Sequence, residues 1–565
     1  MTIRGRHAAL LLSALAFAGS AAGAPEADLI IRHARIWTVA QGAPEAESVA
    51  VLNGRFVAVG SDREVAAWRG PKTVIYDAGG HRLLPGFNDA HVHFETGGAD
   101  LDNVQLNDVT DAAEFARRIA AKAARTQPGE WLQGGNWDET KWPGQPLPTH
   151  ELIDAATAKV PVAVARYDGH MVLANALALH LAGITASTPD PPGGVIVRDA
   201  KGNPTGILKD AALDLLTKAI PAPTHGARRR AIETALRHAA ALGVTSVQDM
   251  NPDFADVAVY AELAEEGRLT TRIYAAPLIS DVDAQLRIGI RHAFGSPLLR
   301  LGAVKAYADG SVGSATAYFY EPFLDAPDNR GLLSDEMQPL SLMRDRMTRA
   351  DAAGLQLCTH AIGDAGIAAI LDLYADIARA GAPKDRRWRI EHAQHMAAAD
   401  FDRFATLGVI ASVQPYHAID DGRWVETRIG HDRASRTYAF RTFLDHRVRL
   451  ALGTDWSVAP LDPMLTLYAA TTRATLDGKH PEGWFAEQKL TIREAIEAYT
   501  LGSAYAEFQD REKGSIERGK LADMVLLDRD ILSIDPTQLP SVRVLRTWRG
   551  GILTFESRGA KPIGR

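Results

Sequence analysis

The sequence carries a set of side chains able to hold a metal ion. His91-Val92-His93 lies in LLPGFNDAHVHF. On an extended strand the i and i+2 side chains point to one side, so the two imidazoles can converge on a single cation. Further along stand Lys305 in RLGAVKAYADG, His360 in LQLCTHAIGD, His392 in RWRIEHAQ and Asp455 in VRLALGTDW. Taken singly, each has a plainer reading. A lone strand-end histidine is usually hydrogen-bonded, a lone lysine ion-paired, and Asp455 could cap a turn. Taken in order, His-x-His, Lys, His, His, Asp predicts a divalent-metal centre. The chain has one cysteine, Cys358, so no internal disulfide and no CxxC-type zinc site can form. Cys358 itself reads as a small buried hydrophobe. Nitrogen and oxygen donors of this kind accept Zn, Mn, Fe and Co. Zinc is the first choice, with one or two ions per chain.

The elements that must position these residues are strands. Eight apolar, β-branched segments alternate with helical stretches: the five named above, with VTSVQDM, TRIYAAPLI and VIASVQP. That alternation predicts an α/β fold, a (β/α)₈ TIM barrel, in which site residues cluster at the C-terminal strand ends. The span exceeds the ~250 residues typical of such a barrel, and the excess follows the first strand. Residues of about 97–230 are therefore expected to form a large insertion with its own strand signals, GEWLQGGNWDE, VPVAVARYDGH and GGVIVRD. Both chain ends are rich in short β segments bounded by Gly, Pro and Asn, which predicts a small β-sandwich built from both. The expected layout is 1–24 signal peptide, 25–83 and 506–565 β-sandwich, and 84–505 barrel. The leader has Arg4, Arg6 and His7 ahead of the apolar AALLLSALAFAGSAAGA, the pattern of an export signal. The expectation is export, to the periplasm in a Gram-negative cell, with no stable membrane insertion after cleavage. A net charge of −7 with no basic cluster argues against a nucleic-acid partner and for a small-molecule substrate. No GxGxxG or P-loop in its proper context suggests a nucleotide cofactor.

The motifs LLPGFNDAHVHF, VKAYADGSVGS, THAIGD, RIEHAQ, GTDWSVAPLDPM and GSIERGKLADMVLLD resemble the amidohydrolase superfamily, specifically the YtcJ-like, N-substituted formamide deformylase-like branch. The resemblance spans almost the whole chain after the leader and implies a barrel with an appended β-sandwich. It implies that His91 and His93 bind the more buried metal, that His360 and His392 bind the second, and that Lys305 bridges both as a carboxylated lysine. It implies that Asp455 touches the first metal and acts as general base, and that the protein is a homodimer. A one-metal site with Lys305 as a cationic electrophile stays open. The implied reaction is hydrolysis of a non-peptide C–N bond in an N-substituted formamide, N-acyl amine or cyclic amide. Zinc lowers the pKa of bound water from about 15.7 to about 7, and Asp455 would take and return the proton. Hydrolysis of an ester, carbamate or lactone on the same site is the first alternative; a non-catalytic metal-binding periplasmic protein is the second. A D-aminoacylase-like site would need a cysteine ligand, and Cys358 lies on the wrong strand for it.

Other residues are candidates by type and place. His170 in RYDGHMVLAN matches a family position near the substrate and is a catalytic candidate. Trp137 in GGNWDE, Asp309 after Lys305 and Arg473 are substrate-binding candidates, against plainer roles as core aromatic, turn residue and helix-surface arginine. Asn175 reads as a helix cap. His395 and His417 read as structural histidines near the ends of strands six and seven. Glu391 is expected to point away from the ligand face, by strand alternation from His392.

Overall fold

The computed structural model describes residues 26–558, except 128, 145, 167–170, 192–193, 211 and 293. The expected signal peptide and His170 lie outside the described residues. Eight parallel strands form the centre: β1 (Phe87–Val92), β2 (Val244–Met250), β3 (Arg272–Ala276), β4 (Ala303–Tyr307), β5 (Gln356–Ala361), β6 (Arg389–His392), β7 (Ile410–Val413) and β8 (Leu450–Leu452). All seven residues of β2 and all six of β1 are buried, as expected of strands covered on both faces. The strands fall into two sheets. One runs β1-β2-β3 and continues through Leu299–Leu301 to Phe294–Gly295; the other runs β4 to β8 in order. The sheets touch at both seams through single parallel bridges, Leu278 with Lys305 and Val92 with Trp456. At the second seam the Asp455 N–H donates to the His91 carbonyl at 2.7 Å. A side chain at Gly453 would meet the His91 backbone nitrogen at 2.6 Å, so the close approach of β8 to β1 requires glycine there.

Helices pack around these strands. Asp364–Ala380 turns Ile367, Ile370, Leu371, Tyr374 and Ile377 inward at helical spacing, and its polar positions face outward. The helix α1 (Phe94–Asp102) starts directly after β1, with His93 at its N-cap. Between α1 and the helix His225–Ala241 lies a separate six-stranded sheet, in the order Gly194–Arg198, Pro204–Asp210, Met171–Ala174, Ala163–Arg166, Gly134–Trp137, Val104–Gln105. It has its own apolar core around Phe115, Ile119, Trp137, Trp142 and Val164.

A further six-stranded sheet draws three strands from each chain end: Ile552–Glu556, Val544–Arg549 and Met524–Leu527, then Arg82–Pro85, Arg35–Trp37 and Glu45–Ala46. A four-stranded sheet of Arg55–Gly60, Ser48–Leu52, Leu29–Arg32 and Val74–Asp77 faces it. They share a core of Ile31, Val49, Val51, Leu83, Met524, Leu526 and Trp548. Arg272, at the start of β3, grips Asp523 through two hydrogen bonds of 2.7 and 2.9 Å and so ties the parallel strands to this sandwich. At the same N-terminal strand ends, Glu507 takes hydrogen bonds from Asn88 and Lys513, each at 2.8 Å, and Lys513 also donates to Ser246 at 2.7 Å. Among the described residues, no helix is long and apolar enough to cross a membrane.

Candidate metal centre

The opposite, C-terminal ends of the strands gather the predicted ligands. The His91 ring is fully buried, and its Nδ1–H donates to Glu391 at 2.8 Å. The Nδ1–H of His93 donates to the Met250 carbonyl at 3.0 Å. A neutral imidazole carries one N–H, so in both rings Nε2 presents a lone pair. Both Nε2 atoms face Oδ1 of Asp455, at 3.4 and 3.2 Å. That oxygen is buried with no hydrogen-bond partner. Three acceptors thus converge beside the Lys305 amine, 3.2 Å from His91 Nε2, and a cation balances their lone pairs. The ligand atoms of His91, His93 and Asp455 lie within 4.8 Å of one another, so the residues fit a metal. The Glu391 and Met250 contacts are of the kind that orient metal-binding imidazoles and fix their tautomer.

The second half is built from β5, β6 and the segment after β7. The Nε2–H of His360 donates to the Gly310 carbonyl at 3.2 Å. The Nδ1–H of His392 donates to Gln414 at 2.9 Å. Their ring centroids are 4.5 Å apart, and those of His91 and His392 are 4.8 Å apart. His417 joins this group. It sits on the helix α2 (Pro415–Asp421), just past β7, and a second set of ligand atoms within 4.8 Å of one another comprises His392, His417 and Asp455. Lys305 is buried with Nζ 3.2 Å from His91 Nε2. His392 and Asp455 both have left-handed backbones, with φ of 71° and 60°. Such non-glycine conformations cost about 1–3 kcal/mol each and collect at functional sites. The turn at His392 also breaks the strand alternation. Glu391 therefore faces inward to His91 instead of away from the ligands, which corrects the sequence expectation.

Burial dominates the electrostatics. With Lys305 nearby it lowers His91 to about 4 and His360 to about 3, and with His360 nearby it lowers His392 well below the usual histidine range. These rings stay neutral near pH 7 and keep their lone pairs for a cation. Burial also lowers the Lys305 ammonium, against the pull of Glu391 and Asp455. Asp455 is buried among these rings. Glu391 is equally buried, but Arg389 and His91 bring it down to about 2.

Several expected substrate contacts lie elsewhere. Trp137 is fully buried in the core of the inserted sheet, stacks edge-on to Phe115, and donates its indole N–H to the Val164 carbonyl at 2.9 Å. Its neighbours Gly134, Gly135 and Asn136, not its ring, line a cavity of about 460 Å³. Arg473 is not on a helix surface: it is fully buried and donates to the carbonyls of Trp484 and Tyr438 at 2.7 and 2.9 Å, so it organises loops. Asp309 accepts the backbone N–H groups of Tyr318, Ile362 and Gly363, and pins the loop after β4 to the end of β5. Its carboxyl is raised by burial to about 7, and it supports His360 from behind, 3.7 Å away. His395 is buried and donates to Thr437. Asn175 caps its helix by accepting the Ala178 N–H. Residues unmarked in the sequence reading include Asp89, which takes the N–H groups of His91 and Thr454 and the Tyr499 hydroxyl and so locks β1 to β8 below the ligands. Its place two residues before His91, on the same strand face, was the available signal.

The amidohydrolase family pattern matches residues 74–555. The chain belongs to the amidohydrolase family. It is an enzyme, a metal-dependent hydrolase with a TIM-barrel-like α/β fold and His/Asp groups placed to hold metal. This amidohydrolase is 37% identical to "Protein LONG AFTER FAR-RED 3" of Arabidopsis thaliana, over 93% of its own length and 91% of that protein's. It is 29% identical to the N-substituted formamide deformylase of Arthrobacter pascens, over 94% of its own length and 99% of the other. Among solved structures it is similar to an uncharacterized metal-dependent hydrolase from Pyrococcus furiosus, with a TM-score of 0.75, 27% identity, and coverage of 89% of this chain and 100% of the other.

Proposed function

We propose that the protein hydrolyses a non-peptide C–N bond in a small molecule, with an N-substituted formamide, N-acyl amine or cyclic amide as the substrate class. The observation that carries this reading is Asp455: a buried carboxylate with an unpartnered oxygen, set between two groups of neutral histidines. Binding alone needs no base, and such an oxygen is a poor structural element because nothing offsets its desolvation. The similarity to an N-substituted formamide deformylase along nearly the full length of both chains supports the bond type. A divalent ion in the site, zinc by the three-ligand pattern of open catalytic sites, supplies a Lewis acid and lowers the pKa of a water to about 7. The chain's own groups do the rest. Asp455 accepts the proton of the attacking water and returns it to the leaving nitrogen. Glu391 and Met250 hold the rings of His91 and His93 with Nε2 toward Asp455. Lys305, pressed against His91, is the amine that CO₂ would carboxylate, giving oxygens where a free ammonium offers none. In this reading the two parallel sheets act as one closed eight-stranded barrel, the inserted sheet covers its mouth, and the leader exports the chain.

The test is metal stoichiometry by elemental analysis on the wild type and Lys305→Ala, with hydrolysis of a formamide and ester panel. Metal in the wild type, turnover of formamides over esters, and loss of both metal and turnover in Lys305→Ala are expected. Metal-free protein without turnover, or turnover of esters alone, overturns the reading.

A further inference from the structure

The β-sandwich meets the N-terminal ends of the parallel strands without closing on them everywhere. Two tight hairpin turns of the sandwich, Asn53-Gly54 and Gly550-Gly551, have positive φ at both central residues, 51° and 77° in the first and 57° and 71° in the second. Two-residue hairpin turns of this kind require it. A third turn, at 296–298, leads into the strand Leu299–Leu301 beside β3. The three turns line one cavity of about 640 Å³. Leu29, Val51, Leu298 and Leu521 give it apolar walls, and Ile552, 59% exposed, completes them on the solvent side. Size and lining match a small-molecule site, which is mostly apolar with a few placed polar groups. The polar group here is Arg549. It is half-buried, its Nε is buried without a hydrogen-bond partner, and among the described residues it forms no ion pair. The other arginine at the cavity, Arg272, has no donor to spare. Its Nε and Nη2 hold Asp523 at 2.7 and 2.9 Å, and its Nη1 holds the Pro297 carbonyl at 2.9 Å. Asp28 also lines the cavity, and it accepts the Asn53 N–H at 2.7 Å, which fixes the first turn. Burial and the charge of Arg272 lower Arg549 from the arginine range, against the pull of Asp523. A guanidinium held out of water with no counterion is costly, and one bound anion offsets that cost.

We propose that this cavity binds a monocarboxylic acid with an apolar tail, its carboxylate on Arg549 and its tail against Leu29, Val51 and Leu298. The balance of charge selects a monoanion. Arg272 is neutralised by Asp523, so Arg549 is the one surplus cation of the cavity, and the Asp28 carboxylate repels a doubly charged phosphate. The planar guanidinium edge matches the two oxygens of a carboxylate. Leu29 and Arg549 belong to the sandwich and Leu298 to the hairpin beside β3, so the ligand bridges the two and stabilises their junction. The site lies at the strand ends opposite the metal centre and does not depend on the bond hydrolysed there.

The probe is octanoate, with acetate as the head alone and inorganic phosphate as an anion without a tail. Binding to the full chain as purified is measured by isothermal titration calorimetry, for wild type, Arg549→Gln, Ile552→Glu and Asp455→Ala. Wild type is expected to take one octanoate per chain and to bind acetate and phosphate about tenfold or more weaker. Arg549→Gln removes the cation, and Ile552→Glu sets a like charge on an exposed side chain. Each should weaken octanoate about tenfold or more. Ile552→Glu keeps the test decisive if Arg549→Gln folds poorly. Asp455→Ala should bind octanoate as wild type does, whereas a carboxylate held at the metal centre would be lost there. Octanoate should also raise the midpoint of thermal unfolding in wild type and not in Arg549→Gln. No octanoate binding by wild type, wild-type affinity in folded Arg549→Gln or in Ile552→Glu, or loss of binding in Asp455→Ala overturns the proposal. Phosphate or acetate binding as tight as that of octanoate overturns the assignment to an apolar acid.

Discussion

The two ends of the parallel strands bury charge in opposite ways. At the N-terminal ends two buried cations have their counterparts: Arg272 with Asp523, and Lys513 with Glu507 and Ser246. At the C-terminal ends Asp455 Oδ1 and His417 Nε2 are buried and bare, and lone pairs face lone pairs. The same surroundings thus hold a finished network and an unfinished one. A satisfied buried pair fixes structure, and breaking it leaves an uncompensated charge. An unsatisfied cluster is kept at a cost in stability and becomes complete with a ligand. The difference separates residues that build the fold from residues that use it, with no reference to their type.

The largest effect that sharpens this contrast is expected at Asp455. Asp455→Ala should lower kcat/KM by about 10³-fold or more, as for loss of a general base. In the metal-free protein it should not lower the midpoint of urea unfolding, because it removes a carboxylate nothing satisfies. A large stability loss in that variant would erase the contrast. The next effect is the mirror image. Asp523→Ala strands Arg272 and should cost about 3–5 kcal/mol in urea unfolding. Folded variant should retain wild-type metal content. The pH dependence follows from the same pair. Although buried, Asp523 is held below the usual carboxylate range by Arg272. Its contribution is therefore full above its unfolded pKa of about 3.9 and lost as pH falls through the lower folded value. Wild type should lose stability on acidification below about pH 4 more steeply than Asp523→Asn; parallel curves would remove Asp523 as the cause. The smallest effect is expected in the inserted sheet. Trp137→Phe gives up one buried hydrogen bond, about 1 kcal/mol, and should leave KM unchanged, whereas a raised KM would return Trp137 to the substrate pocket.

The gathering of His91, His93, His392 and Asp455 was legible in the sequence because strands convert spacing into direction. His91 and His93 share a face by the i, i+2 rule, and the order of the remaining ligands follows the order of the strands. His417 was read as structural; it stands on a helix, several residues past its strand end, where no alternation rule says that it faces His392 and Asp455. Glu391 was misjudged because the left-handed turn at His392 is invisible in residue types. The burial of Trp137 and Arg473 was hidden for another reason: an aromatic or an arginine can equally well line a cavity or fill a core, and only packing decides. The parallel strands and the β-rich chain ends were visible from composition and periodicity. The division of the strands into two sheets meeting at single bridges was not, because it depends on hydrogen-bond geometry at two seams.

The clasp between the chain ends has a consequence for how the molecule is made. Arg82–Pro85 runs through Gly86 straight into β1 and pairs with Met524–Leu527. Until the last strands emerge, the segment that sets the first ligand-bearing strand is an open sheet edge, which invites pairing with another chain. Closing contacts so distant in sequence is slow, so this seam forms late in folding. The register of β1, and with it the aim of His91 and His93, is therefore fastened by a stretch of chain synthesised long after it. A shortened product lacking that stretch can contain every ligand and still have no firm place to put them.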